Sequence, residues 1–150
     1  MPVTVDVDVG VDVVLHRAGR AAVWGAGNAE AACAVLPARP DAPGRARQLL
    51  RDWAGGWLTG RPLAALVLVG NELVINAVQH GQGEVTLALS GLPGQVLLCV
   101  HDDGRGATTL REYTSSPVRR RGLALVAELS ARWGVCGPDC GTTAWAVIRG

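Results

Sequence analysis

Residues 72–81 carry the sequence Glu-Leu-Val-Ile-Asn-Ala-Val-Gln-His-Gly, and this stretch governs the prediction of the fold. Its polar residues Glu72, Asn76 and His80 recur every four positions, so on a helix they lie along one face. The residues before them are apolar nearly all round, which predicts a largely buried helix over about 62–80. A polar line on such a helix is typical of a solvent-facing stripe or of a site, and the helix alone does not decide between them.

The segments after this helix predict a hairpin. Residues 85–89 alternate with period two, and turn residues at 92–94 lead into a second strand over 95–101 with a loop of about four residues. A helix follows over about 120–131, with Leu123, Val126, Ala127 and Ser130 facing inward. Closing strands are expected over 133–136 and 142–148.

The segments before the central helix are less regular. Leu49, Trp53 and Trp57 form an apolar stripe on a helix expected over about 45–58. A short strand is expected over 32–36, residues 17–32 stay unassigned, and the valines of residues 3–13 alternate as in a single strand. The whole order predicts an α+β two-layer sandwich, with a mixed, mostly antiparallel sheet and helices packed on one face.

The composition limits the classes of partner. Hydrophobic residues make up 49% of the 150 residues, which predicts a folded domain with a substantial core. The formal charge of +1 gives no strong field for nucleic acid or an anionic membrane. The N-terminus does not resemble a signal peptide and no apolar run predicts a membrane span, so we expect a cytoplasmic protein.

The segment Asp102-Asp103-Gly104-Arg105-Gly106 follows the second hairpin strand directly. Glycine tolerates positive φ and lets another group approach the backbone closely. The carboxylate of Asp102 can accept a hydrogen bond from an exocyclic amine, which adenine has and guanine lacks at that position. An ordinary surface turn is the alternative interpretation of this segment.

Three arginines precede Gly122 at the predicted start of the next helix, at positions 119–121. Cations at a helix N-terminus oppose the helix dipole, so their presence there favours an anion held between them and the backbone N–H groups. A solvated basic turn is the alternative.

In this order and spacing the segments resemble the GHKL ATPase superfamily with its Bergerat nucleotide-binding fold, and within it the anti-sigma-factor serine/threonine kinases. The resemblance covers about residues 33–149, leaving residues 1–32 as an N-terminal extension and 33–150 as the ATP-binding domain. Residues 72–81 match the N-box and 102–106 the first glycine box. The second glycine box is matched by 121–126, and 141–145 resemble the closing strand.

The resemblance implies a role for each matched residue. Glu72 would be the catalytic base, Asn76 the Mg²⁺ ligand, and Asp102 the residue that recognises adenine. The remaining ATP-binding residues would be His80, Gly104, Gly106, Arg121, Gly122, Leu123 and Thr143. Among these, His80 would border the phosphates, Gly122 would open the helix after the lid, and Thr143 would support the adenine contact.

The sequence departs from the family pattern at two matched positions. Arg120 stands where the second box has its first glycine, and Thr142 stands where the closing strand usually has lysine. The lid between Gly106 and Gly122 is also short. These departures bear more on phosphoryl transfer than on nucleotide binding.

The resemblance implies a regulatory kinase that uses ATP and Mg²⁺ to phosphorylate a serine of an anti-sigma-factor antagonist, and that also binds a sigma factor. The alternative is a weakly active or inactive ATP-binding module that sequesters such a partner. The catalytic domain of a histidine kinase is a third interpretation, although His16 lacks the helical setting of a phosphoacceptor. Dimerisation is common in the resembled family, and no residue here compels it. Direct nucleic-acid or membrane binding is not expected.

Overall fold

The computed structural model describes residues 2–7, 11–16, 20–24, 31–80, 83–104, 117–136 and 141–150. Its helices are α1 (Ala42–Ala54), α2 (Gly60–His80) and α3 (Pro117–Leu129). Its strands are β1 (Pro2–Val7), β2 (Val11–His16), β3 (Arg20–Trp24), β4 (Ala31–Leu36), β5 (Val85–Leu92), β6 (Gln95–Asp102), β7 (Arg132–Cys136) and β8 (Thr142–Arg149).

The main sheet contains five of these strands in the order β4-β5-β6-β8-β7. The α+β prediction is confirmed, but the sheet expected to be mixed is antiparallel at every pairing among the described strands. In the β5–β6 hairpin Leu92 pairs with Gln95, so the loop is Pro93 and Gly94 alone, shorter than the four residues predicted. Gly94 has φ of +68°, a conformation that glycine adopts without a steric penalty.

Alternation along the strands separates two buried clusters. The larger cluster joins all three helices to the face of the sheet that carries Leu87, Leu98 and Ala146. The smaller one lies on the opposite face, around Cys99 and Trp145. We call these faces the helix face and the back face. Neighbouring residues of one strand point to opposite faces and therefore lie in different surroundings.

Helix α2 is the central helix, because it contacts α1, α3 and the strands β5, β6 and β8. Among the described helices it alone is long and apolar enough to cross a membrane by length and composition, a property it shares with core helices. Here the share of its apolar stretch buried inside the protein is 44%. Leu68 is its most exposed large apolar side chain, at 47%.

Helix α1 packs through a different stripe from the predicted one. The buried residues are Ala42, Ala46, Leu50 and Ala54, whereas Leu49 and Trp53 are only partly buried. The helix also begins earlier and ends before Trp57. Small residues allow close approach to α2, since a Cβ added to Gly70 would lie 2.2 Å from Leu50 Cδ1. The predicted stripe followed the large side chains of Leu49 and Trp53, whereas three of the four buried residues are alanines.

Helix α3 begins at Pro117, a few residues before the expected start. Leu123 and Val126 are buried as predicted. Ala127 is exposed, and Ser130 follows the end of the helix and is partly buried. Only the first half of the predicted inward face is therefore correct.

The N-terminal strands form a separate sheet in the order β1-β2-β3. The prediction of one strand over residues 3–13 is wrong, since β1 and β2 pair with each other and Val7 lies opposite Val11. Because odd positions of β1 pair with odd positions of β2, the valines alternate in both strands alike, and the sequence pattern does not show where β1 ends. Strand β3, in the region left unassigned, lies near β4 and β5.

Candidate functional site

The carboxylate of Asp102 is held at the end of β6. Its side chain is 7% exposed, and Oδ1 accepts a hydrogen bond of 2.7 Å from the backbone N–H of Gly104. This local turn, in which an aspartate caps the amide two residues later, fixes the direction of the carboxylate. Alternate residues of a strand point to the same face, so Asp102 lies on the helix face with Leu98 and Val100, at its edge.

The start of β8 locks this turn from the neighbouring strand. Gly141 has φ of +102°, and a Cβ added there would lie 2.2 Å from the carbonyl oxygen of Asp102. Both features require glycine. The next residue, Thr142, is 5% exposed and its hydroxyl donates a 2.8 Å hydrogen bond to the carbonyl oxygen of Gly104.

Thr142 is therefore a candidate site residue that the sequence analysis treated only as a departure from the family pattern. It pairs with Asp102 across the two strands and lies on the same face. The alternation of β8, with Ala144 and Ala146 on the helix face, is the signal that identifies it.

The structure places Thr143 on the back face instead. Thr143 is 2% exposed, and its hydroxyl lies 2.7 Å from His101 Nδ1. The two residues are directly opposite each other on β6 and β8. The Thr143 side chain is separated from Asp102 by the thickness of the sheet, so it cannot contact a base bound at the carboxylate.

Glu72 and Gly122 bring α2 and α3 together on the helix side. A Cβ added to Gly122 would lie 2.6 Å from Glu72 Oε2. The glycine thus leaves room for the carboxylate beside the backbone of α3. Gly122 lies inside α3 rather than opening it.

Asn76 lies one turn after Glu72 and is 3% exposed. Its Nδ2 has no hydrogen-bond partner in the described part of the chain. The two ends of an amide are interchangeable by a rotation of the side chain, so the unpaired position suits either a donor or an oxygen ligand. An unpaired buried amide costs about 1–3 kcal/mol, which a ligand would offset. Asn76 therefore fits the predicted Mg²⁺ ligand, since Mg²⁺ uses few protein oxygens beside phosphate oxygens.

The other predicted residues are distributed around these contacts. His80 is the last residue of α2, and its side chain is outside the described part, as are Gly81 and Gly106. Arg120 and Arg121 are exposed on the early turns of α3. Leu123 is 3% exposed and belongs to the core, so any contribution to a nucleotide site is through packing.

Asn71 and Gln79, two further polar residues of α2, do not join these residues. Asn71 accepts a hydrogen bond from Arg47 of α1, and Gln79 is exposed. The site is therefore limited to the face of α2 that carries Glu72 and Asn76.

The arrangement has two ends. At the sheet edge a buried carboxylate beside a fixed glycine turn provides a hydrogen-bond acceptor. On α2 and α3 are the Glu72 carboxylate beside Gly122, the buried amide of Asn76 and the exposed arginines of the early α3 turns. An acceptor at one end with cations and a metal ligand at the other is suited to a nucleotide whose base and phosphates point to opposite ends.

Comparison with known families agrees with this geometry. The family described as the histidine kinase-like ATPase domain matches residues 36–146. The chain belongs to this family, within the GHKL superfamily, and its fold is the Bergerat ATP-binding fold. No curated protein matches the sequence significantly.

The chain is similar to several solved structures, including the following two. The structure of the RsbU and RsbW domains of Rv1364c from Mycobacterium tuberculosis superposes with a TM-score of 0.63 at 25% identity, over 80% of this chain. The histidine kinase domain of the blue-light activated histidine kinase from Erythrobacter litoralis EL346 has a TM-score of 0.50 at 23% identity, over 71% of this chain. The matches span 32% and 58% of those chains, respectively.

Proposed function

We propose that this chain binds ATP and transfers its γ-phosphoryl group to a serine of a partner protein, an anti-sigma-factor antagonist. The single observation that supports this most is the carboxylate of Glu72 lying beside Gly122 of α3, one helical turn before the buried Asn76 and on the same side of the sheet as Asp102. The resemblance to a structure that contains an RsbW domain favours a regulatory kinase over a histidine kinase domain.

In this proposal each end of the site has a distinct task. Asp102 accepts a hydrogen bond from the exocyclic amine of adenine, and Thr142 holds the turn at Gly104 in place. Arg120 and Arg121 supply positive charge near the phosphates. Asn76 would hold Mg²⁺, which when bound neutralises charge on the phosphate oxygens.

Glu72 is the proposed general base. It accepts the proton of the attacking serine hydroxyl as the new oxygen–phosphorus bond forms and the bond to ADP breaks. The space left by Gly122 lets the carboxylate reach the side of α2 that faces α3. Phosphoryl transfer depends mainly on such positioning.

Residues 33–150 form the nucleotide-binding domain in this proposal, residues 1–32 are an extension, and the protein acts in the cytoplasm. Binding of a sigma factor and formation of a homodimer are further parts of the same proposal. They rest on the family resemblance rather than on a described surface.

The test is phosphoryl transfer from labelled ATP to candidate antagonist proteins, comparing wild type with Glu72→Gln. Glu84→Gln, which removes a carboxylate from an exposed position, is the matched control. We expect Glu72→Gln to lower the transfer rate roughly 100-fold or more while ATP affinity stays within about threefold. The Glu84→Gln control should transfer at the wild-type rate.

A wild-type chain that binds ATP and a sigma factor but phosphorylates no antagonist would contradict the kinase proposal. It would favour the second function, a module in which ATP only sets the conformation that holds a partner. Arg120 in place of the glycine of the second box is the observation that favours this alternative.

A further inference from the structure

We infer that His101 and Thr143 are positioning residues for adenine recognition and that they act through the sheet from its back face. This inference rests on the proposed function, because it concerns the same adenine-binding end of the site. Neither side chain can touch the base, since both lie on the face opposite Asp102. Their effect must therefore pass through the backbone of β6 and β8.

The two residues join the same strand ends that hold Asp102. His101 is 6% exposed, and its Nδ1 lies 2.7 Å from the hydroxyl of Thr143 directly across the strand pair. A buried hydrogen bond of this length is well within the normal range. It links the residue immediately before Asp102 to the residue immediately after Thr142.

The imidazole ring also packs against the obligatory glycine. A Cβ added to Gly141 would lie 2.9 Å from His101 Cε1, as well as 2.2 Å from the carbonyl oxygen of Asp102. The ring thus supports the segment from behind while the Asp102 carbonyl meets it from the side. Movement of the ring would shift Gly141 and, with it, Thr142.

A third contact links His101, through Asp103, to Gly83 in the segment after α2. His101 Nε2 lies 3.9 Å from Asp103 Oδ1, which is too long for a hydrogen bond but close for a charged pair. Asp103 Oδ2 in turn lies 2.5 Å from where a Cβ on Gly83 would be. The contacts therefore run from the α2–β5 turn through Asp103 and His101 to Thr143.

The combined arrangement clamps the adenine end from both faces. On the helix face Thr142 donates to the carbonyl of Gly104, and on the back face His101 bonds Thr143. Asp102 lies between the two connections. A carboxylate that distinguishes an amine from a carbonyl must be placed to within a fraction of an ångström, so loosening either connection should weaken discrimination before it abolishes binding.

The experiment measures the ratio of ATP to GTP affinity in four variants. Thr143→Val removes the hydroxyl and keeps the volume, whereas Thr143→Ser keeps the hydroxyl. His101→Leu fills the position of the ring without a polar atom. Thr86→Val is the matched control, because Thr86 is a buried threonine of the neighbouring strand directly opposite His101 on the back face.

We expect Thr143→Val and His101→Leu to lower the ATP-to-GTP ratio by about three- to tenfold, the range that loss of one neutral hydrogen bond allows. Thr143→Ser and Thr86→Val should keep the wild-type ratio. Unfolding by urea, followed in parallel, ensures that the ratio is measured on folded protein. A purely structural role would lower stability and leave the ratio unchanged.

Two outcomes would overturn the inference alone. One is a wild-type ratio in folded Thr143→Val or His101→Leu, and the other is an equal loss in Thr86→Val, which would show a general effect of burying one hydroxyl fewer. If the wild-type protein itself shows no preference for ATP, both the inference and the adenine role of Asp102 fail. If wild type prefers ATP and the ATP-to-GTP ratio does not change in the variants, the inference fails and the adenine role of Asp102 does not.

Discussion

The two ends of the site are built from different parts of the chain. At the adenine end of the proposed site the contacts involve the backbone: the Asp102 carbonyl lies against Gly141, and the Gly104 amide and carbonyl are bonded to the side chains of Asp102 and Thr142. At the catalytic end, between α2 and α3, flexible side chains meet a glycine, as Glu72 does at Gly122.

This difference predicts how each end responds to substitution. A backbone contact cannot move aside, so a Cβ added at Gly141 should damage folding together with binding. The end of a glutamate side chain can rotate away, so changes between α2 and α3 should damage chemistry and spare folding.

Gly141→Ala should have the largest effect. The new Cβ would lie 2.2 Å from the carbonyl oxygen of Asp102, and the alanine would have to adopt φ of +102°. We expect a loss of about 2–4 kcal/mol in the free energy of unfolding, measured with urea, together with loss of ATP binding.

Gly94→Ala is the matched control for this substitution. Gly94 also has positive φ, at +68°, but a Cβ there would meet nothing within 4 Å. It should cost only about 1–2 kcal/mol, for the left-handed conformation alone. Equal losses in the two variants would show that the contact with Asp102 contributes nothing.

Asn76→Ala should separate binding from folding. Removing a buried amide whose Nδ2 has no partner removes an unfavourable group, which offsets part of the lost packing. We expect the free energy of unfolding to change by less than about 1 kcal/mol, while affinity for ATP with Mg²⁺ falls roughly 10- to 100-fold.

Calorimetric titration with and without Mg²⁺ measures this effect. We expect Mg²⁺ to raise the ATP affinity of wild type and to leave that of the variant unchanged. A large loss of stability with unchanged nucleotide affinity would assign Asn76 to the core instead.

Gly122→Ala tests the catalytic end. In the interior of a helix, alanine is more stable than glycine by about 1 kcal/mol. The new Cβ would approach the carboxylate of Glu72, which is the mobile end of that side chain. We therefore expect unchanged or higher stability, ATP affinity within about threefold of wild type, and a rate of phosphoryl transfer lowered roughly tenfold or more.

A double variant checks that Gly122 acts through Glu72. Glu72→Gln combined with Gly122→Ala should transfer phosphate no more slowly than Glu72→Gln alone, because both changes remove the same function. Additive losses would place the effect of Gly122 elsewhere.

The smallest effect at neutral pH concerns Cys99, on the back face of β6 two residues before His101. Burial raises the pKa of its thiol above the ordinary value of 9.0, with Cys136 and Cys33 nearby adding to the shift. The unfolded chain therefore loses this proton at a lower pH than the folded chain, so stability falls as pH rises above about 9.

Comparing wild type with Cys99→Ala at pH 8 and pH 10 isolates this contribution. The wild-type free energy of unfolding should fall by about 1 kcal/mol more than that of the variant over this interval. Identical falls would mean that the thiol is hydrated and that the back face beside the adenine end is open to water.

Much of the fold follows from the sequence because periodicity reports burial. The strand alternation of β5, β6 and β8 and the apolar helix α2 are clear in the pattern. The α1 stripe is misplaced because the buried residues include Ala46 and Ala54, and a scale of hydrophobicity gives small residues little weight. The division into β1 and β2 is hidden because the alternation of valines is the same in both strands.

The site is predicted in outline and not in its register. Glu72, Asn76 and Asp102 follow as candidate site residues from the N-box and the first glycine box of the sequence alone. Which of two adjacent threonines shares a face with Asp102 depends on strand pairing, and the pairing of Thr142 with Asp102 settles it. The back-face bond between His101 and Thr143 is a long-range contact that no local pattern indicates.

The proposed function depends above all on recognition of adenine by Asp102, which calorimetric titration of wild type and Asp102→Asn with ATP and GTP measures. Asparagine keeps an oxygen for the Gly104 amide but can present an N–H where the carboxylate accepts, which opposes the amine of adenine and suits the carbonyl of guanine. We predict that wild type prefers ATP and that Asp102→Asn loses roughly 10- to 100-fold in ATP affinity with little loss for GTP. Equal affinity of wild type for both nucleotides, or the same ATP preference in Asp102→Asn, would contradict the claim.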